Sequence, residues 1–421
     1  IGMVKNAYAT GNTQLTKMAD KVNQLSGTFQ ILPDFLGSDQ PRTYALMAMT
    51  TSEERSSGGL IGSVGVVTTD NGKISIGDFR SNGEYIPYGA GDPTEDEQRI
   101  FRQWGPLNMS FDVRDLAVYP DTSRSAEGMR AIWQRTPWGS NTQLDGVLMV
   151  DPVFLQELTK ISGNVTIPDG TVLTGDNTAE FLLNKVYVDY PVSMQDTLFA
   201  QVAEQTVGSM FSNVDLAKLT KVAQLMGSMA EGRHFSMYAF DETAEKTISD
   251  AGFTAQTPSS EEHPQVGVYV TEQNPSKMGW YIHRTSKVTR STCGNDGSQY
   301  HVEYKMTNTL ESSQIGALTS YILGSGGQGV EKTLIYAPAG GSISNLKTSG
   351  GSVTESRQET LNGKTVYASN ATIAPGESVT YSFDVTTSTK AVSDLTIDQT
   401  PMGWIDSGVT TDTAACSINK Q

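Results

Sequence analysis

The sequence predicts a layered α/β domain, preceded by a helical segment and followed by an all-β immunoglobulin-like sandwich. Three observations carry this expectation. Residues 4–36 place Val4, Ala7, Leu15, Met18, Val22, Leu25, Phe29 and Ile31 at helical spacing. Short apolar runs then alternate with helical stretches, the pattern of sheet and helices in layers. Beyond Trp280 the helical period disappears and short alternating segments separated by turn residues take over. A chain of 421 residues is also too long for one ordinary core. The expected division is 1–40 for the helical lead, 41–275 for the α/β domain and 276–421 for the sandwich.

In chain order, Pro33 and Gly37 end the lead helix. Tyr44-Ala-Leu-Met-Ala-Met49 is a continuous apolar run, as in a strand buried on both faces. Thr50 to Gly59 reads as a loop. Leu60 to Val67 and Ile74 to Ile76 form a hairpin through Asp70-Asn-Gly-Lys73. Residues 83–110, rich in Gly, Pro and charge, read as irregular. Helices are expected over Ser123–Gln134, Pro152–Lys160, Thr174–Val186 (capped by Thr174 or Asp176), Met194–Met210 and Val214–Met229. Gly146 to Val150 is a second buried strand, and Gln265 to Val270 a late strand of the same sheet. The sandwich strands include Tyr281–Thr285, Tyr300–Met306, Lys332–Tyr336, Lys364–Ala368 and Ser378–Val385.

Charged residues are only 18% of the chain, below the usual quarter, and Ser and Thr crowd the C-terminal half. That leans towards an exported protein. A net charge of −16 repels phosphate backbones, so nucleic acid is not an expected partner. Cys293 and Cys416 allow one intramolecular disulfide, or are two separate thiols. No apolar run approaches the roughly 20 residues of a membrane span. The chain opens at Ile1 in mid-pattern, which suggests a tethering segment upstream.

Histidine is scarce: His234, His263, His283 and His301 are scattered, without zinc-ligand spacing, and read as surface or strand residues. Gly324-Ser-Gly-Gly-Gln-Gly329 lies between strands and reads as a flexible loop. More telling is arginine at strand ends: Arg55 before one strand, Arg80 after another, and Arg114 beside Asp115. Guanidinium groups converging on one crevice would hold phosphate or carboxylate bidentately. Asp78, with Asp115, could hold a Mg²⁺ that bridges to phosphate oxygens. The plainer account is that Glu53, Glu54, Arg55 and Asp78 form structural ion pairs.

The strings Arg42-Thr-Tyr-Ala-Leu-Met47, Glu54-Arg-Ser-Ser-Gly-Gly-Leu-Ile-Gly62 and Asp145-Gly-Val-Leu-Met-Val-Asp-Pro152 resemble the exported bacterial family DUF4012. So do Leu173-Thr-Gly-Asp-Asn177 and Lys277-Met-Gly-Trp-Tyr-Ile-His-Arg284. That resemblance implies a membrane anchor upstream and no particular activity. More distantly, the layout is similar to the LytR-CpsA-Psr family, which attaches lipid-linked glycopolymers to the cell wall. Arg55 ahead of Leu60–Val67, Asp78-Phe-Arg80, and Leu173-Thr-Gly175 carry the likeness. The arginine pair that this family places after its helix is missing, and Lys185 is the cation in that stretch.

The resemblance implies an extracytoplasmic phosphotransferase acting on lipid-linked glycopolymer. Arg55, Arg80, Arg114, Asp78 and Asp115 would then be catalytic, with Lys185 binding the phosphate and Asp78 a Mg²⁺. The competing expectation is a non-catalytic envelope module binding polysaccharide or a partner protein. A glycoside-acting enzyme is a third, for which sequence gives no carboxylate separation.

Overall fold

A computed structural model describes residues 26–28, 30–213, 215–294 and 296–413. Most of the lead segment, with the apolar positions from Val4 to Leu25, lies outside the described residues, as does Cys416 and hence any pairing with Cys293. Residues 30–35 are helical and bring Phe35 against Tyr44, ring centroids 4.9 Å apart. No helix among the described residues is long and apolar enough to cross a membrane.

The first sheet has six strands: β1 (Arg42–Arg55), β2 (Gly58–Asp70), β3 (Lys73–Ile76), β4 (Arg80–Ser81), β5 (Gly146–Val150) and β8 (Phe235–Ala239). They run in the order β3-β2-β1-β5-β8, with β4 also on β2, while β6 (Val165–Thr166) and β7 (Val172–Leu173) pair with each other apart from this sheet. Only the β1–β5 pairing is parallel, Tyr44 facing Gly146 and Ala48 facing Val150. The expected apolar runs are the centre of this sheet, and successive residues serve opposite faces. Leu46, Ala48, Leu148 and Val150 pack on helices α2 (Pro152–Ser162), α3 (Val192–Met210) and α4 (Leu216–Glu231). Ala45, Met47, Met49, Val147 and Met149 pack on α1 (Thr122–Trp133) and on residues of the C-terminal sheets.

The helices begin where the sequence supplies caps. Asp151 accepts the Phe154 N–H ahead of Pro152, and Asp215 accepts the Lys218 N–H. The helix expected over Thr174–Val186 is broken instead. Asn177 Oδ1 takes the Thr174 N–H at 2.7 Å in a turn, and short helical pieces run Thr178–Glu180, Phe181–Lys185 and Val186–Asp189. The irregular stretch 83–110 likewise contains helical turns at Asn82–Tyr85, Glu95–Glu97 and Gln98–Gln103. Strand β8 and helix α5 (Glu242–Asp250) had no counterpart in the sequence reading.

Two further expectations are corrected. Thr50 to Gly59 is not a loop: β1 continues to Arg55 and turns tightly into β2 at Gly58. Register passes from Thr50 opposite Leu60 to Glu54 opposite Gly59, so Thr51, Ser52 and Glu53 form a bulge. A side chain at position 59 would start 1.8 Å from the Thr50 carbonyl oxygen, which is why glycine stands there. Strand β9 (Gln265–Glu272) does not join the first sheet. It lies in a five-stranded sheet ordered β14-β15-β12-β9-β17, where β12 is Gly329–Tyr336, β14 Ser352–Leu361, β15 Lys364–Ile373 and β17 Thr396–Gln399.

A second five-stranded sheet, β13-β16-β11-β10-β18, faces the first. Its strands are β10 (Ile282–Thr292), β11 (Gln299–Asn308), β13 (Ser342–Ser349), β16 (Ser378–Thr386) and β18 (Val409–Asp412). Val266, Val268 and Val270 of β9 meet Val302, Tyr304 and Phe383 in the core between these sheets. Tyr269, on the other face of β9, joins Leu334, Tyr336 and Val366 against the α/β layer. Strand β9 is therefore buried on both sides, which is why it reads like a strand of a parallel sheet.

Candidate functional site

Arg55 closes β1 and is buried. Its Nε donates to Asp115 Oδ1 at 3.0 Å and Nη1 to the Glu54 carbonyl at 2.9 Å, with Glu272 Oε2 3.7 Å from Nη1. Asp115 Oδ2 accepts both the N–H and the hydroxyl of Ser110, each at 2.7 Å. Burial opposes the charge on Asp115, but Arg55 and Ser110 outweigh it and hold the carboxyl below its ordinary range. Thus Arg55 and Asp115 are brought together, as partners of each other.

The other predicted site residues meet carboxylates of their own. Arg114 grips Asp112 with two bonds, 3.0 and 2.7 Å. Arg80 lies 3.8 Å from Asp78 and 3.9 Å from Glu84, its guanidinium 4.5 Å from the centre of the Trp138 ring. Asp78 is 86% exposed. Lys185, 56% exposed, reaches Glu180 at 4.0 Å. Among the described residues no group of three or more His, Cys, Asp or Glu is placed to hold a metal ion.

Around Arg55 runs a buried charged seam between the layers. Arg284 on β10, its side chain wholly buried, places Nη1 2.8 Å from Glu54 Oε1 and donates from Nη2 to the carbonyls of Thr400 and Pro401 at 2.9 Å each. Glu272 on β9 lies opposite Glu331 on β12. Burial lifts the Glu272 carboxyl to about 8, against the pull of Arg55 and the Ser276 hydroxyl. Glu331 is raised further by burial and by the neighbouring Glu54 and Glu272. Glu53 in the bulge meets Lys277, whose ammonium also sits over the rings of Tyr187 and Tyr321. Burial pulls that ammonium down towards about 7. Gly279 is required here, because a Cβ would lie 2.3 Å from the Thr51 carbonyl oxygen.

Open space lies at the opposite end of β1. A cavity of about 310 Å³ forms where β1 and β5 begin and β8 ends, lined by Arg42, Tyr44, Gln143, Asp145, Phe240 and Asp241 together with Asp34, Gln40 and Arg130. Arg42 is held by Asp34 and, at 3.1 Å, by Asp39. Asp145 Oδ2 accepts the Thr43 N–H at 2.7 Å, and burial raises its carboxyl. Asp241 caps α5 through Oδ1, which accepts the Ala244 N–H at 2.9 Å. Arg130 lies over the Phe240 ring at 4.0 Å. Tyr44 is only 3% exposed, and burial with the nearby Asp34 raises its hydroxyl's pKa. Of these residues the sequence reading named Tyr44 as the start of a strand, and Arg42 and Asp145 only within strings that resemble DUF4012.

A smaller cleft, of about 50 Å³, lies at the far edge of the sheet and is lined by His234, Thr400, Trp404 and Asp406. His234 Nδ1 is 2.5 Å from Asp151 Oδ2, and the Trp404 ring contacts His283 and Trp280. The sequence reading of His234 as a surface or strand histidine missed its pairing with Asp151, 83 positions away.

No curated protein matches the chain. A solved structure of a Streptococcus agalactiae protein overlaps 50% of this chain and 74% of its own at 10% identity, with a TM-score of 0.31. One from Listeria innocua overlaps 54% of this chain and 85% of its own, also at 10% identity, with a TM-score of 0.26. Overlaps this low carry no argument about what the chain does. Residues 39–187, the stretch that holds β1 to β5, match the family model described as "Protein of unknown function (DUF4012)".

Proposed function

We propose that this protein is a non-catalytic, extracytoplasmic envelope component that binds polysaccharide in the cavity at the start of β1 and β5. The observation that carries this reading is the different occupation of its two charged regions. Of the arginines expected to clamp phosphate, Arg55 is engaged by Asp115 and Glu272 and Arg114 by Asp112, while Arg80 lies over Trp138, 3.8 Å from Asp78. The cavity, in contrast, presents carboxylates, amides, a phenol and two arginines to a volume of about 310 Å³, the kind of lining that hydrogen-bonds hydroxyls. On this reading the first domain keeps a LytR-CpsA-Psr-like layout without its phosphate clamp, and the C-terminal sheets form an immunoglobulin-like module. The low charge content and hydroxyl-rich C-terminal half support an extracytoplasmic setting.

The test is to mix the full chain with purified cell-wall polysaccharide and with a polyprenyl-pyrophosphate glycan. Saturable binding of the polysaccharide without turnover of the lipid-linked glycan is expected. Transfer or hydrolysis of the lipid-linked glycan that disappears in Arg114→Ala would replace this reading with the transferase. Arg114 is suited to that control because it is partly exposed and its removal leaves the seam intact.

A further inference from the structure

We propose that the cavity selects an amine-bearing sugar, an unacetylated hexosamine unit within the polysaccharide. The inference rests on the saccharide-binding reading above and specifies what that site takes. Its argument starts from charge. Asp34, Asp145 and Asp241 line the cavity against Arg42 and Arg130. Arg42 is already gripped between Asp34 and Asp39, and the Arg130 guanidinium sits over the Phe240 ring, 4.0 Å from its centre. The balance left to a ligand is negative, in a protein whose net charge is −16. With Asp34 committed to Arg42, a phosphate or uronate entering there would meet Asp145 and Asp241 against Arg130 alone; an ammonium would be drawn in.

Hydrogen-bonding capacity points the same way. Asp241 uses Oδ1 on the Ala244 N–H, and its Oδ2 has no donor among the described residues. The Tyr44 side chain is buried all but 3%, yet its hydroxyl has no partner among the described residues and is not sealed from the cavity. A phenol that opens onto the cavity bonds water there, and a ligand hydroxyl can take that water's place. An ammonium donates to the Asp241 carboxylate in a charge-assisted bond, and a neighbouring ring hydroxyl exchanges with Tyr44. Gln40 and Gln143 offer amide groups for further hydroxyls. The volume, at the low end of small-molecule sites, suits one sugar unit or little more.

The experiment is calorimetric titration of the full chain with glucosamine oligomers, matched N-acetylated oligomers, glucose oligomers and inorganic phosphate, below about pH 6.5 where the sugar amines are charged. The glucosamine oligomer is expected to bind about tenfold more tightly than either uncharged oligomer, with phosphate silent. Asp241→Asn keeps a side-chain oxygen for the Ala244 N–H, so the helix cap survives. It should erase the preference for the amine, and Tyr44→Phe should weaken all sugars together. Equal affinity for the charged and uncharged oligomers overturns the amine proposal and leaves the saccharide reading standing. Silence with every sugar overturns the saccharide reading, and the amine proposal with it. A preference untouched by Asp241→Asn also overturns the proposal, because the ammonium would then lie elsewhere.

Discussion

At its amino end β1 carries Arg42 and Tyr44 into an open cavity; at its carboxyl end it carries Glu54 and Arg55 into a seam sealed from water. The residue types are nearly the same, acids with arginines and a few hydroxyls. What differs is desolvation. In the seam each charge depends on a protein partner, because burial removes the solvent that would otherwise stabilise it. At the cavity, solvent or a ligand can do that work. A charged cluster is therefore informative about binding only once its partners are known, and Arg55 shows how a guanidinium at a strand end can be wholly committed to the fold.

The strongest way to break this contrast is to remove the seam's most buried cation. Arg284→Met takes away a side chain with 0% exposure and leaves Glu54, and behind it Glu331, without their countercharge. Denaturant unfolding should show a loss of about 3–5 kcal/mol. Adding Glu54→Leu to that variant should recover part of the loss, since the orphaned carboxylate goes with it. If Arg284→Met unfolds within about 1 kcal/mol of the parent, the seam is wetter than its burial implies and the contrast collapses.

A second effect, somewhat smaller, is pH dependence. The Glu272 carboxyl is raised by burial from 4.5 to about 8. Between those values the folded chain holds a proton that the unfolded chain has released, so stability is highest below about 4.5 and falls as pH rises towards 8. The slope from this one group is at most about 1.4 kcal/mol per pH unit. Unfolding measured across that window should become flatter in Glu272→Gln. An unchanged slope would move the titrating group elsewhere in the seam.

The seam also explains where sequence reading succeeds and stops. Strands β1 and β5 are legible because both of their faces are buried by apolar residues. Helices α1 and α2 are legible through their apolar spacing and, for α2, the Asp151-Pro152 start. The end of β1 is not legible, because Thr51-Ser-Glu-Glu-Arg55 has the composition of a loop. It is strand because its acids and bases are neutralised by Lys277, Arg284 and Asp115, residues 60 to more than 200 positions away. Local pattern has no access to such partners. Strand β9 fails for the opposite reason: its apolar run is clear, but the run is equally compatible with either sheet. Arg55 stands out in the sequence as an unusual residue, and it is one. The structural ion pair weighed beside its phosphate-binding role is the part now visible. The cavity was not legible at all, since Tyr44, Asp145 and Asp241 meet only after three separate strands have aligned.

The smallest predicted effect is the most discriminating between the two regions, because it compares one atom in each. Tyr269 is buried at the junction of the layers, and its hydroxyl donates to Asp398 Oδ2 at 2.5 Å and accepts from Arg233 at 3.3 Å. Tyr269→Phe strips a partner from a charged pair and should cost about 1–3 kcal/mol. Tyr44 is similarly buried, but its hydroxyl serves the cavity and no protein group among the described residues. Removing it breaks nothing within the fold, and Tyr44→Phe should leave unfolding within about 0.5 kcal/mol of the parent. Its whole effect should appear in sugar affinity. If the two substitutions cost the same in denaturant, the Tyr44 hydroxyl is part of the fold and the cavity loses its claim to be a prepared site. If Tyr44→Phe is silent in stability and weakens sugar binding, the open end of β1 is the working end and the sealed end its support.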